Sequence, residues 1–130
     1  MNLRSGITHT LEMIVMEKDT ALVYRSGELP VLATPAMAAL MEETCWKSVA
    51  PYLEEGQGTV GTRLDLVHTA ATPVGMNVTC RSELTEVDGR RLVFSVEVSD
   101  ECGPIGKGTH ERFIINNEKF LTKAREKGQK

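Results

Sequence analysis

The sequence lacks most of the features that would identify a partner outright. Its 130 residues include only three cysteines, Cys45, Cys80 and Cys102, odd in number and widely spaced. That excludes a disulfide framework or a zinc ribbon, fits a reducing cytosol, and leaves no metal site to expect. Positive charge is not in excess. Fifteen basic residues stand against 18 acidic ones for a net charge of −3, so no polybasic field draws nucleic acid. No apolar run is long enough to span a bilayer. The start, Met1-Asn2-Leu3-Arg4-Ser5-Gly6, leads into Glu12, Glu17, Lys18 and Asp19 rather than into a signal-peptide core. The expectation is a cytoplasmic protein with no membrane partner. Also missing are a P-loop, a dinucleotide glycine fingerprint, a His-Glu-x-x-His pair and a Gly-x-Ser-x-Gly elbow.

What remains is enough for one domain over residues 1–130, a length that buries a core unaided. Leu11, Met13 and Val15 alternate with polar neighbours as in a strand. Ala21-Leu22-Val23-Tyr24, after a charged turn, reads as extended too. Thr34-Pro35 opens a helix, Thr34 as its N-cap and Pro35 at a position where a missing N–H costs nothing. The helix runs through Met41 and Trp46 to about Val49, before Pro51 and Gly56. Four strands follow. Val60, Thr62, Leu64, Leu66 and His68 are expected on one face of the first, and Met76, Val78, Cys80, Ser82 and Leu84 on one face of the second. Asp88-Gly89 is a hairpin signal leading to Leu92, Phe94, Val96 and Val98. The last strand ends Phe113-Ile114-Ile115, and Asn117 caps a short helix with a frayed, charged end from Lys123 to Lys130. The class is α+β, a single six-strand layer covering one long helix.

Three side chains could do chemistry. Glu42 has Ala38, Ala39, Cys45 and Trp46 around it on the helix, so a partly desolvated, reactive carboxylate competes with a helix-edge residue reaching water. Glu43 has Lys47 four residues on and reads as a solvated pair. His68 falls on an apolar strand face, where a satisfied core histidine is the alternative to a catalytic one. The hydroxyl of Thr34 serves as a cap, or orients a water or acyl oxygen at the helix N-terminus. Gly61, inside a strand, suits the close approach of a ligand, and its N–H could serve an oxyanion. His110 lies on a strand beside two glycines that would let another group come near. Cys45 has no basic neighbour to activate it as a thiolate.

The strings His68-Thr69-Ala70-Ala71-Thr72-Pro73 and Gly108-Thr109-His110-Glu111-Arg112, with Leu40-Met41-Glu42, Ala50-Pro51-Tyr52-Leu53-Glu54, Gly61-Thr62 and Gly89-Arg90-Arg91-Leu92, resemble the fluoroacetyl-CoA thioesterase-like branch of the hotdog thioesterases. The likeness spans about residues 32 to 125. It implies a hotdog fold, an antiparallel sheet wrapped around one long central helix. It also implies hydrolysis of an acyl-CoA thioester by a Thr, a Glu and a His, which match Thr34, Glu42 and His68 with the same eight-residue Thr-to-Glu spacing. Gly61 matches the glycine at the thioester carbonyl, and Arg112 the arginine near the acyl pocket. Coenzyme A enters as part of the substrate, with no separate cofactor, and a homodimer with sites at its interface is implied. One departure stands out. The segment from Tyr24 to Thr34 is short and has no Phe, where the fluoroacetyl-specific enzyme has a phenylalanine lid, so a short- to medium-chain acyl range is expected instead. The rival readings are a non-catalytic acyl-CoA-binding module and a hotdog dehydratase, which would need an Asp-and-His signature that is absent.

Overall fold

The computed structural model describes residues 3–129; Met1, Asn2 and Lys130 of the expected 1–130 domain lie outside the described residues. Five antiparallel strands form one sheet in the order β1 (Thr8–Ile14), β3 (Asn77–Asp88), β4 (Arg91–Asp100), β5 (Gly103–Asn116), β2 (Gln57–His68). The helix α2 (Thr34–Val49) crosses one face, and α3 (Asn117–Gly128) follows the last strand. The expected sixth strand is not there. Ala21–Tyr24 instead forms α1, a single helical turn, because Thr20 caps it by accepting from the Val23 N–H and Arg25 closes it at φ 62°. Leu22, Val23 and Tyr24 stay exposed, so there was no apolar face to place in a sheet.

Periodicity explains the core. On α2, Ala36, Met37, Leu40, Met41, Thr44, Cys45, Ser48 and Val49 are buried, the stripe a 3.6-residue repeat lays on one side. Thr44 and Ser48 satisfy their buried hydroxyls on the Leu40 and Cys45 carbonyls at 2.7 and 2.6 Å. Val78, Cys80, Ser82 and Leu84 on β3, and Leu92, Phe94, Val96 and Val98 on β4, meet that stripe as their alternation requires. The turn between β3 and β4 is Gly89-Arg90, one residue later than the Asp-Gly signal suggested, with only Gly89 at positive φ (61°). Asn116 rather than Asn117 caps α3, accepting from the Lys119 N–H, and the helix continues to Gly128.

Two features position the site. The helix packs most closely on β3 and β1, which leaves a cleft between α2 and the edge strand β2. The second is a break in register between Gly61 and Arg63, where β2 carries one residue more than β5. Alternation places Val60, Thr62, Leu64, Leu66 and His68 on one face; the bulge overturns that. Thr62 is the extra residue, its hydroxyl donating to the Glu111 carbonyl, and Gly61 comes round to the helix-facing side that Leu64, Leu66 and His68 share.

The approach of α2 depends on Gly106 of β5. A Cβ there would lie 2.7 Å from Met37 Sδ and 2.8 Å from the Val67 carbonyl oxygen. The sulfur can swing aside, but the strand carbonyl cannot. Gly106→Ala is therefore expected to destabilise the fold by about 1–3 kcal/mol, read as a lowered denaturation midpoint at unchanged slope.

Candidate active site

At the N-terminal end of α2, the Thr34 hydroxyl and His68 Nδ1 are 2.7 Å apart. Thr34 is not the N-cap. Ala33 holds that position, buried and with its N–H donating to the Asp19 carbonyl at 2.9 Å. Thr34 is the first helical residue, and its exposed hydroxyl is engaged by imidazole rather than by helix N–H groups. His68 ends β2 and is half-buried. The loop after it is anchored on both sides. The Thr69 N–H donates to the Ile105 carbonyl at 2.8 Å, and the Thr72 carbonyl accepts from the Leu32 N–H at 2.9 Å. The buried Thr72 hydroxyl donates to Asp100 at 2.8 Å. The Cys102 N–H, and then that hydroxyl, hold the Asp100 carboxyl below the usual carboxylate range. The His-Thr-Ala-Ala-Thr-Pro string thus ties the imidazole to the chain entering α2. Among the described residues, His68 Nε2 has no hydrogen-bond partner.

Two helical turns on, a second cluster surrounds Gly61. A Cβ on this glycine would lie 3.2 Å from Glu42 Oε2, 3.2 Å from Arg112 Nη1 and 3.2 Å from His110 Cε1. Its missing side chain is what leaves room over the strand for an acid, a cation and an incoming atom. Arg112 is buried at 7 % exposure. Its Nε donates to Thr59 Oγ1 at 2.8 Å, its Nη2 to the Thr59 carbonyl at 2.9 Å, and its Nη1 to His110 Nε2 at 3.1 Å. Glu42 is half-buried beside them, while Glu43 pairs with Lys47 at 2.7 Å as expected. The acid face therefore belongs to Glu42. Thr59 and His110 are the residues to which sequence reasoning gave no role, although the two glycines shortly before His110 were a signal. Gly108 and Gly106 let the neighbouring strand and Met37 press in.

His110 is fully buried. An arginine can only donate, so Nε2 must accept, and the proton resides on Nδ1, which donates to the Arg63 carbonyl at 2.7 Å. Burial lowers its pKa, opposed by the Arg63 hydrogen bond. An unfolded imidazole takes up a proton near pH 6.5, above where the folded one does. Below that pH the unfolded chain binds more protons and stability is lost; above it the loss vanishes. The melting temperature is expected to fall as pH drops below about 6.5, and His110→Gln to flatten that fall.

Cys45, also near this cluster, is pushed far above the ordinary thiol range by burial, and Cys80 is raised the same way, so neither offers a thiolate. Beyond Arg112 the cleft widens into a cavity of about 350 Å³, with Trp46, Ala50, Leu53, Gly58 and Thr59 in its walls. Thr34, Ala38, Glu42 and Trp46 recur every fourth residue along one ridge of α2, which leads from the Thr34–His68 pair past Glu42 to the cavity wall at Trp46. Among the described residues no group of three or more His, Cys, Asp and Glu side chains could hold a metal ion, and no helix is long and apolar enough to cross a membrane.

The predicted residues thus assemble as two half-sites: Thr34 with His68, and Glu42 with Gly61 and Arg112. Eight helical residues separate Thr34 from Glu42, about 12 Å along the axis. Gly61 and His68 stand roughly 20 Å apart along β2. One chain by itself does not converge them on one atom.

A sheet curled over a single long helix, with acid, imidazole, hydroxyl and an open glycine backbone in the helix–sheet cleft, defines a thioester hydrolase of the hotdog class. The chain belongs to the fluoroacetyl-CoA-specific thioesterase family, whose model matches residues 15–118. It is 50% identical over 102 residues to the fluoroacetyl-CoA thioesterase of Streptantibioticus cattleyicolor, covering 78% of this chain and 73% of that protein. A solved structure of the fluoroacetyl-CoA thioesterase superposes with a TM-score of 0.92 at 43% identity, over 98% of both chains. A thioesterase superfamily member from Thermus thermophilus does so with a TM-score of 0.91 at 28% identity, over 98% of this chain and 95% of its own.

Proposed function

We propose that the protein hydrolyses a short- to medium-chain acyl-CoA to the free acid and CoA, with Glu42, His68 and Thr34 as its catalytic groups. One observation carries this reading. Over Gly61, a carboxylate oxygen and a guanidinium nitrogen each come within 3.2 Å of the same point, facing backbone that no side chain covers. A thioester carbonyl resting there has an electron-pair donor on one side and a cation on the other, the arrangement acyl transfer needs. Glu42 supplies the electron pair, directly or by taking a proton from an attacking water. The Gly61 N–H and Arg112 receive the charge that develops on the carbonyl oxygen. The C–S bond breaks, and His68, oriented by Thr34, delivers a proton to the CoA sulfur or activates the water that clears an acyl-enzyme. In H₂¹⁸O under single turnover, label appearing in Glu42 identifies the covalent route, because water that attacks the Glu42 carbonyl of the mixed anhydride leaves its oxygen there and general-base hydrolysis does not.

The half-sites require a second copy of the chain. β2 is a twelve-residue edge strand with a free side. If two copies pair antiparallel along β2, with the two-fold axis at Asp65 and Thr62 bulged out of this pairing as it is out of the pairing with β5, Gly61 falls opposite His68 of the partner subunit. Both face the helices, because residues directly opposite in such a pair share a face. The homodimer so formed holds two equivalent sites. Arg91 is occupied by Glu86 and Glu111, which leaves Arg63, Arg81, Arg90 and Lys107 as cations for the CoA phosphates.

The relative named above acts on fluoroacetyl-CoA; this chain has no Phe between Tyr24 and Thr34, and a cavity of about 350 Å³ opens beside Arg112. Both support a broader acyl range, in a cytoplasmic enzyme with free thiols. The test is turnover on acetyl-, fluoroacetyl-, butyryl- and hexanoyl-CoA, followed with a thiol reagent. Tight binding without thiol release would instead reveal an acyl-CoA-binding module, and hydration of crotonyl-CoA a dehydratase.

A further inference from the structure

We infer that His110 is a positioning residue, a buried imidazole that holds Arg112 off Glu42 and ties both to the bulge beside Gly61. The inference rests on the thioesterase reading and deepens it. His110 touches no open space in the cleft through either nitrogen. Nδ1 is spent on the Arg63 carbonyl, in the stretch where β2 breaks register, and Nε2 on Arg112 Nη1. Its ring lies beside Phe94, centroids 6.2 Å apart. An imidazole this deeply buried is costly unless both nitrogens are satisfied, so it tolerates one tautomer and one orientation. The charged groups acting on it are Arg112, Glu42 and Glu111.

The consequence falls on Arg112. Glu42 Oε2 and Arg112 Nη1 flank the same point over Gly61, yet among the described residues no ion pair within 4.0 Å joins them. Nη1 is instead held by His110, and the other two guanidinium nitrogens by Thr59. Without the acceptor at Nε2, Nη1 is free to close on the carboxylate. An Arg–Glu ion pair through Nη1 would then fill the space over Gly61 and tie down the electron pair that Glu42 needs. His110 therefore keeps the acid and the cation apart by the width of a substrate atom.

Two variants divide its two bonds. His110→Asn keeps a donor for the Arg63 carbonyl but loses the acceptor for Arg112; His110→Gln keeps an acceptor at the ε position. Expected for His110→Asn is a fall in kcat of about 10–100-fold with KM shifted less than about threefold. His110→Gln is expected to stay near wild type. Independently of turnover, ¹⁵N spectra of the wild type should show His110 protonated at Nδ1. Hydrogen exchange at Arg112 should be slow in the wild type and His110→Gln, and fast in His110→Asn. An Nε2–H tautomer, or unchanged kcat with slow Arg112 exchange in His110→Asn, overturns the inference. A wild type that cleaves no acyl-CoA while Arg112 exchange follows this pattern would remove the thioesterase reading and leave the hold of His110 on Arg112 intact.

Discussion

Replacing Glu42 by glutamine is expected to lower kcat on every acyl-CoA the protein accepts by about 10²–10⁴-fold, the usual contribution of a positioned acid or base. The change preserves volume and hydrogen-bonding shape but removes the electron pair, as nucleophile and as base alike. KM should move little, because the carboxylate sits on Gly61 rather than along the cavity that extends past Trp46. A modest loss of stability should accompany it. The buried guanidinium of Arg112 has Glu42 as the leading nearby charge that favours its protonated form against burial. The assay is steady-state thiol release on the purified variant, with a melting curve to show that it is folded. Turnover within threefold of wild type would remove Glu42 from the mechanism.

Mixing two inactive variants should restore activity. Glu42→Gln and His68→Ala, each expected to pair as the proposed homodimer, are both expected to be nearly silent. In a mixed dimer, one site would combine Glu42 from the His68→Ala chain with His68 from the Glu42→Gln chain, and so be complete. Random exchange makes half the dimers mixed, each with one working site, so about a quarter of wild-type activity should return. If the groups instead act within one chain, no mixture recovers anything, because every site lacks one of them. Refolding the variants together from denaturant, with each alone as control, reads the difference.

Much of this was legible in order along the chain. The 3.6-residue stripe of α2, the alternation of β3 and β4, and the Asp-Gly turn are local properties, and each appears within a residue or two of where its pattern lies. Glu43–Lys47 is likewise an interaction across one helical turn. Errors arose where a local pattern had to be carried through a tertiary event. Ala21–Tyr24 has strand-like composition, but a cap at one end and a left-handed residue at the other suffice to coil four residues. Thr34 has an N-cap's chemistry, but a histidine 34 residues away claims its hydroxyl.

The bulge at Thr62 divides the two kinds of information most clearly. The sequence by itself determined an α+β domain and one long helix with an acid on its open face, and it made Thr34, Glu42, Gly61 and His68 candidates through periodicity, turn chemistry and motif, with Arg112 added by the family resemblance. Only the tertiary structure decided that Gly61 and His68, seven residues apart and so on opposite faces of a regular strand, share the face toward the helix. It alone placed His110 between the bulge and Arg112. A one-residue slip in pairing costs little locally and leaves no mark on composition, yet it turns over every side chain on one side of it.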